Sequence, residues 1–163
     1  MAVSVTTIAR AASLPSGRMT IQRMDHVGVV VDDLPAATAF FGELGLRLVG
    51  SGSVEGDWVD RIVGLDGIRA EFAMVETADG NGRLELVKFH APSGPGGDRE
   101  APANVPGLRH VAFVVDDIDA AVGGLRARGA ELVGEVQRAG ESYPLCYVRG
   151  PEGIIVELAE KIG

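Results

Sequence analysis

Two short apolar runs, Val27–Val31 and Val111–Val115, are β-branched or aromatic almost throughout, the pattern of strands covered on both faces. Each is followed by a pair of aspartates, Asp32-Asp33 and Asp116-Asp117. These supply an N-cap oxygen and negative charge where a helix begins, so capping rather than metal binding is their expected role. Helical spacing then takes over: Leu34, Ala37, Phe41 and Leu44 in one stretch, Ile118, Ala121, Val122 and Leu125 in the other. Gly45 and Gly129 stand where each helix must stop, a position that favours a left-handed residue. Further strands are predicted over Arg47–Ser51, Trp58–Val63, Arg69–Val75 and Arg83–Phe89, and again over Glu131–Gln137, Leu145–Arg149 and Ile154–Leu158.

The two halves are copies of one another. Residues 26–50 set against residues 110–134 are identical at roughly half their positions, without a gap, which marks an internal duplication. His26-Val-Gly-Val-Val-Val-Asp-Asp-Leu falls on His110-Val-Ala-Phe-Val-Val-Asp-Asp-Ile, Gly45 on Gly129, and Leu48-Val49-Gly50 on Leu132-Val133-Gly134. The register is lost and returns at Leu84-Glu85-Leu86 against Val156-Glu157-Leu158, so the first copy is longer in its middle. The order strand, helix, strands, found twice, predicts an α+β protein of two paired βαβββ modules. The first module is expected over residues 23–90 and the second over 108–163. Residues 91–107, rich in Pro and Gly, read as the linker, and residues 1–22 as a flexible N-terminal extension.

Composition narrows the function by exclusion. A net charge of −8 lacks the basic face that nucleic-acid binding needs. No stretch approaches the ~20 apolar residues of a membrane span. Cys146 is the only cysteine; without a disulfide, a reducing, cytoplasmic setting is expected. Its flanks, Tyr143-Pro-Leu-Cys-Tyr147, suit a small half-buried hydrophobe at a strand start better than a reactive thiol.

The duplication changes the standing of four residues. His26 opens the first strand of one copy and His110 that of the other, while Glu85 and Glu157 take matched places on the last strands. A lone His at a strand start, or a lone Glu on a strand, is ordinarily unremarkable. Each Glu, however, sits between two apolar neighbours and so faces away from them on a period-2 strand. With helices covering the apolar face, the carboxylates would line a cavity. Two imidazoles and two carboxylates suit a borderline divalent cation with positions left for water or substrate, and not a thiolate-type structural zinc.

The two His-Val-x-x-x-Val-Asp-Asp-Leu/Ile segments and Gly150-Pro-Glu-Gly-Ile-Ile-Val-Glu157-Leu resemble the vicinal oxygen chelate superfamily from Met24 to Lys161. That superfamily includes glyoxalase I, methylmalonyl-CoA epimerase, extradiol dioxygenases, fosfomycin resistance proteins and metal-free bleomycin-binding proteins. The resemblance implies curved sheets enclosing a shared cavity, with His26, Glu85, His110 and Glu157 as ligands of one divalent ion (Zn, Ni, Co, Mn, Mg or Fe). It also implies proton transfer beside a carbonyl through a metal-stabilised enolate, of the glyoxalase/lyase or acyl-CoA epimerase type. Glu157, then Glu85, would serve as base. The substrate would be a small molecule such as a thiol adduct or an acyl-CoA. Family sites arise from two modules of one chain or by exchange across a dimer, and a homodimer is expected.

Trp58, Arg61 and Arg69 in the enlarged middle of the first copy, with Tyr143 and Tyr147 near a late strand, are candidates for substrate binding. Trp58 suits the core equally well. Lys88 and His90 are expected at the surface, Lys88 pointing away from Glu85. An extradiol-type dioxygenase using ferrous iron would need His90 or Tyr147 at the metal. A bleomycin-resistance-like binding protein would have no need of all four ligands.

Overall fold

The duplicated sequence folds as a duplicated structure. In the computed structural model, residues 21–138 and 144–160 are described. The expected N-terminal extension therefore lies outside the described residues apart from Ile21 and Gln22, and so does Tyr143. The first half runs β1 (Val27–Val30), α1 (Leu34–Glu43), β2 (Arg47–Glu55), α2 (Asp57–Val63), β3 (Arg69–Glu76) and β4 (Arg83–Ala91). The second runs β5 (His110–Val115), α3 (Ile118–Ala127), β6 (Glu131–Leu132), β7 (Leu145–Arg149) and β8 (Ile155–Glu160), with a short 3-10 turn over Pro151–Gly153. One sheet has the order β1-β4-β3-β2 and the other β5-β8-β7-β6. In each, the first strand lies parallel to the last and the remaining pairs are antiparallel. This is the α+β arrangement of paired βαβββ modules expected from the repeat, and among the described residues no closed barrel forms.

The helix boundaries follow from local chemistry. Asp33 accepts a hydrogen bond from the Ala36 N–H, and Asp117 one from the Ala120 N–H. These satisfy backbone donors that the first turn leaves open, each worth about 1 kcal/mol. Gly45 and Gly129 both take φ of 87°, the left-handed turn that ends each helix. The second aspartate of each pair thus acts as the cap, as its position before a helical stripe implied, while Asp32 pairs with Arg99.

One expected strand is a helix. Trp58–Val63 forms most of α2, which Gly64 ends at φ 75°. The β-branched content of Val59, Ile62 and Val63 suggested a strand, but their spacing also fits one helical face. The Asp60 carboxylate accepts from the N–H groups of Gly67 and Ile68, fixing the exit loop at the helix. Val59 is buried with Ile68 and Ala70 against Val87 and Phe89. In the second half, the strand expected over Glu131–Gln137 is regular only at Glu131–Leu132, with one isolated bridge from Gln137 to Leu145.

A single core joins the halves. Ala37, Phe40 and Phe41 of α1 are buried with Leu84 and Leu86 of β4, Val122 and Leu125 of α3, and Val156 and Leu158 of β8. Phe41 packs edge-on to Phe113 across the halves at 6.4 Å. Burying a side chain of this size contributes about 1.5–3 kcal/mol. Cys146 lies inside this core, and burial pushes its thiol up from its ordinary value. Its role is that of a hydrophobe.

The connection between halves is tied down by charge. Arg99 bridges Asp32, at 2.8 Å, and Glu152, while Glu152 also accepts from the Asp32 N–H. Glu152 holds a left-handed φ of 58°, a conformation that a non-glycine residue takes only where its surroundings fix it. No helix among the described residues is long and apolar enough to cross a membrane.

Candidate metal centre

Leu84 and Leu86 point into the core, so Glu85 points to the other face of the first sheet. Its register partners are Gly28 on β1 and Met74 on β3. His26, two residues before Gly28, falls on the same face, and its Nε2 stands 3.4 Å from a Glu85 carboxylate oxygen. The second sheet repeats this. Val156 and Leu158 enter the core, Glu157 faces outward between Ala112 and Tyr147, and His110 Nε2 is 3.5 Å from its carboxylate. Both pairs are partly exposed, so incoming molecules reach them.

The residues fit a divalent cation on two grounds. Ligand bonds of ~2.0–2.2 Å meeting near a tetrahedral angle place donor atoms roughly 3.3–3.6 Å apart, the spacing found in both pairs. The second ground is the carboxylate behind His26, whose Nδ1 lies 3.1 Å from an Asp25 carboxylate oxygen. A carboxylate behind a ligating imidazole is the usual support for a metal ligand. The hydrogen bond from His26, then Arg23 at 2.5 Å, hold the Asp25 carboxyl below its usual range. Sequence reasoning missed Asp25, although it adjoins His26.

Within one chain the four residues stand as two pairs. Among the described residues no three His, Cys, Asp or Glu side chains gather closely enough to hold a metal. A cavity of about 270 Å³ opens between β1 and the start of β5 and β8, with His110 in its wall beside Gly28 and Ile155. His26, Glu85 and Glu157 do not line it.

Other candidates divide sharply. The Tyr147 ring lies 5.2 Å from that of His110, centroid to centroid, and its strand partner is Glu157. Burial first, then the charge of Glu157 and a hydrogen bond to it, push the phenol up from its ordinary value. Tyr147 is thus a protonated donor beside the second pair. Trp58 is 53% exposed on α2 rather than in the core, and Arg61 and Arg69 are exposed beside it. The packing of Val59 over Val87 and Phe89 sets α2 on the Glu85 face of the sheet, at its far end. Lys88 pairs in register with Glu71, one residue out of phase with Val87, so it faces away from Glu85. His90 sits in a β-bulge and binds Glu71 at 3.1 Å rather than either His/Glu pair.

Residues 23–158 match the family model of the Glyoxalase/Bleomycin resistance protein/Dioxygenase superfamily, and the chain belongs to that family. A glyoxalase family protein from Bacillus cereus shares 46% identity and superposes with a TM-score of 0.87, over 91% of this chain and all of that one. The YwbC protein of Bacillus subtilis (strain 168) is 28% identical over 143 residues, covering 86% of this chain and 98% of its own. The fosfomycin resistance protein FosX of Listeria monocytogenes, solved with Mn(II) and 1S,2S-dihydroxypropylphosphonic acid, shares the fold. Its TM-score is 0.55 at 17% identity, over 86% of this chain and 90% of that one. Members of the superfamily include metal-dependent enzymes such as glyoxalase I and FosX.

Proposed function

We propose that this chain is a divalent-metal-dependent enzyme that moves a proton on a carbon next to a carbonyl, in the manner of a glyoxalase/lyase or an acyl-CoA epimerase. The observation that carries this reading is the pair of equivalent His/Glu sites, at 3.4 and 3.5 Å, on matched faces of two duplicated sheets. His26, Glu85, His110 and Glu157 would together hold one cation. When bound, that cation offsets the negative charge that develops on the carbonyl oxygen as the proton leaves. The two pairs stand apart within a chain, so the reading includes a homodimer in which the first half of one copy meets the second half of another. The buried lone thiol of Cys146 is consistent with a cytoplasmic setting.

The two carboxylates divide the work. Tyr147 is the strand partner of Glu157, which sets a phenol beside that carboxylate. Glu85 has Met74 in the same place, a side chain that donates nothing. Glu85 is therefore the freer group to loosen and accept a proton at its carboxylate oxygen, with Glu157 the standing ligand and second candidate base. Trp58, Arg61 and Arg69 stand at the α2 end, where they would meet the substrate's remote parts. The dioxygenase alternative draws support only from Tyr147, because His90 is engaged with Glu71. Retention of both His/Glu pairs disfavours a purely sequestering role.

The test is deuterium exchange from solvent into methylglyoxal–thiol adducts and acyl-CoA thioesters, with metal-loaded protein. Exchange that requires the metal and falls at least a hundredfold in Glu85→Gln supports the reading. Catechol cleavage with Fe(II) and oxygen, without exchange, contradicts it. The shared site has its own check. Mixing Glu85→Gln chains with Glu157→Gln chains is expected to restore one intact site per dimer, and no restoration places all four ligands in one chain.

A further inference from the structure

The row of register partners through Glu85 reads Gly28, Glu85, Met74, Gly50 across four strands. A glycine inside a strand sacrifices stability and ordinarily marks a bulge, a left-handed turn or the close approach of something else. Neither glycine has a left-handed φ. A Cβ on Gly28 would meet nothing within 4 Å, and one on Gly50 only the Met74 Cβ at 3.9 Å. Gly50 follows directly on the β2 bulge at Leu48/Gly50, which accounts for a glycine there, whereas neither the backbone nor the packing of this chain requires Gly28; together they clear the floor on both sides of Glu85.

The next row toward α2 reads Val30, Val87, Phe72, Gly52. Here the missing side chain is accounted for: a Cβ on Gly52 would press the Phe72 ring at 3.1 Å, so that ring lies low across β2. The result is a flat apolar floor, with Val30 63% exposed. Glu85 stands at one end, and α2 closes the other through Val59. Two residues along the strands make the floor roughly 7 Å long, the size of one six-membered ring. The charged pair that shares this face, Arg83 and Glu76, is already mutually satisfied at 2.5 Å. A charge placed over Met74 and Phe72 would lose its water and gain no partner.

We infer that the substrate carries an uncharged, flat, monocyclic or similarly compact apolar group, and that this group lies on the first half's sheet over Met74, Phe72 and Val87. The inference rests on the metal-centre reading above and adds which module receives the substrate's body and what that body is. The second half offers no equivalent floor, because Ala112, Tyr147 and Val133 occupy the corresponding places.

The experiment uses the full-length protein loaded with Co(II), whose visible absorption reports on the ligand shell. It is titrated with two neutral probes that share one chelating oxygen pair, acetohydroxamate and benzohydroxamate. Benzohydroxamate is expected to bind about tenfold tighter than acetohydroxamate, the gain from covering one ring face. Gly50→Leu fills the floor and should abolish the preference, while acetohydroxamate and Co(II) affinities stay unchanged. Phe72→Ala should reduce it, and Val133→Leu, at the matching place in the second half, should leave it intact. Equal binding of the two neutral probes overturns the inference, as does a preference that survives both Gly50→Leu and Phe72→Ala. Co(II) uptake without the preference sinks this inference alone; no Co(II) uptake sinks the metal centre as well.

Discussion

The two halves share a strand order, a cap, a helix stop and a His/Glu pair, yet differ in what surrounds that pair. In the first half His26 is backed by Asp25 and its glutamate faces Met74 between open glycines. In the second, the residue before His110 is Arg109, which reaches the Ala101 carbonyl instead, and the glutamate faces Tyr147. Duplication preserved the His/Glu pairs while their surroundings diverged. One half has an imidazole backed by a carboxylate and an open apolar floor, the other a phenol beside its carboxylate. A symmetric scaffold thereby carries two unlike surroundings, as the distinct base and substrate-binding roles proposed above require.

The largest expected break concerns the shared core. Phe41 is fully buried and reaches Phe113 of the other half, whereas its repeat counterpart Leu125 is buried within α3. Phe41→Ala should cost about 4 kcal/mol and Leu125→Ala about 3 kcal/mol. Each should give a single urea transition, since both halves share one core; two separated transitions would show independent folding.

Next in size is the support behind the histidines. Asp25→Ala should weaken divalent-metal affinity about tenfold by freeing the His26 ring, while Arg109→Ala leaves it unchanged. Calorimetric titration distinguishes them, and equal effects would remove the asymmetry. The caps should behave alike: Asp33→Ala and Asp117→Ala are each expected to cost about 1 kcal/mol in thermal or urea unfolding.

The smallest effect lies in the turn between β3 and β4, an element of the longer first half. Thr77, the Asn81 side chain and the Asn81 N–H hold the Asp79 carboxyl down to about 2. A depressed carboxyl contributes stability fully above the ordinary aspartate value of about 3.9 and loses it as pH falls through the folded value. NMR titration of the Asp79 carboxyl carbon should show a midpoint near 2, and a midpoint near the ordinary value would contradict these hydrogen bonds.

Much of this was legible in the chain because duplication doubles every signal. One His before one valine run says little; the same His before the same run twice, with an Asp-Asp pair after each, defines strand and helix together and singles out the two His/Glu pairs. The illegible parts depend on register and packing. Trp58–Val63 has the composition of a strand, and only the burial of Val59 over Ala70 and the loop closed by Asp60 make it a helix. Gly28, Met74 and Gly50 share a row with Glu85 only through pairings set by a hairpin and a parallel crossover, which a residue pattern does not specify. The Arg99–Glu152–Asp32 tie lies in a stretch whose Pro and Gly content signalled only a linker.

The central claim is that His26, Glu85, His110 and Glu157 form one metal centre from two duplicated halves. Co(II) titration of the metal-free protein, followed by calorimetry and visible absorption, tests it most directly. One tight cation per chain is predicted, with affinity lost at least tenfold in Glu85→Gln and in Glu157→Gln alike. Two independent cations per chain, or binding indifferent to both substitutions, would contradict it.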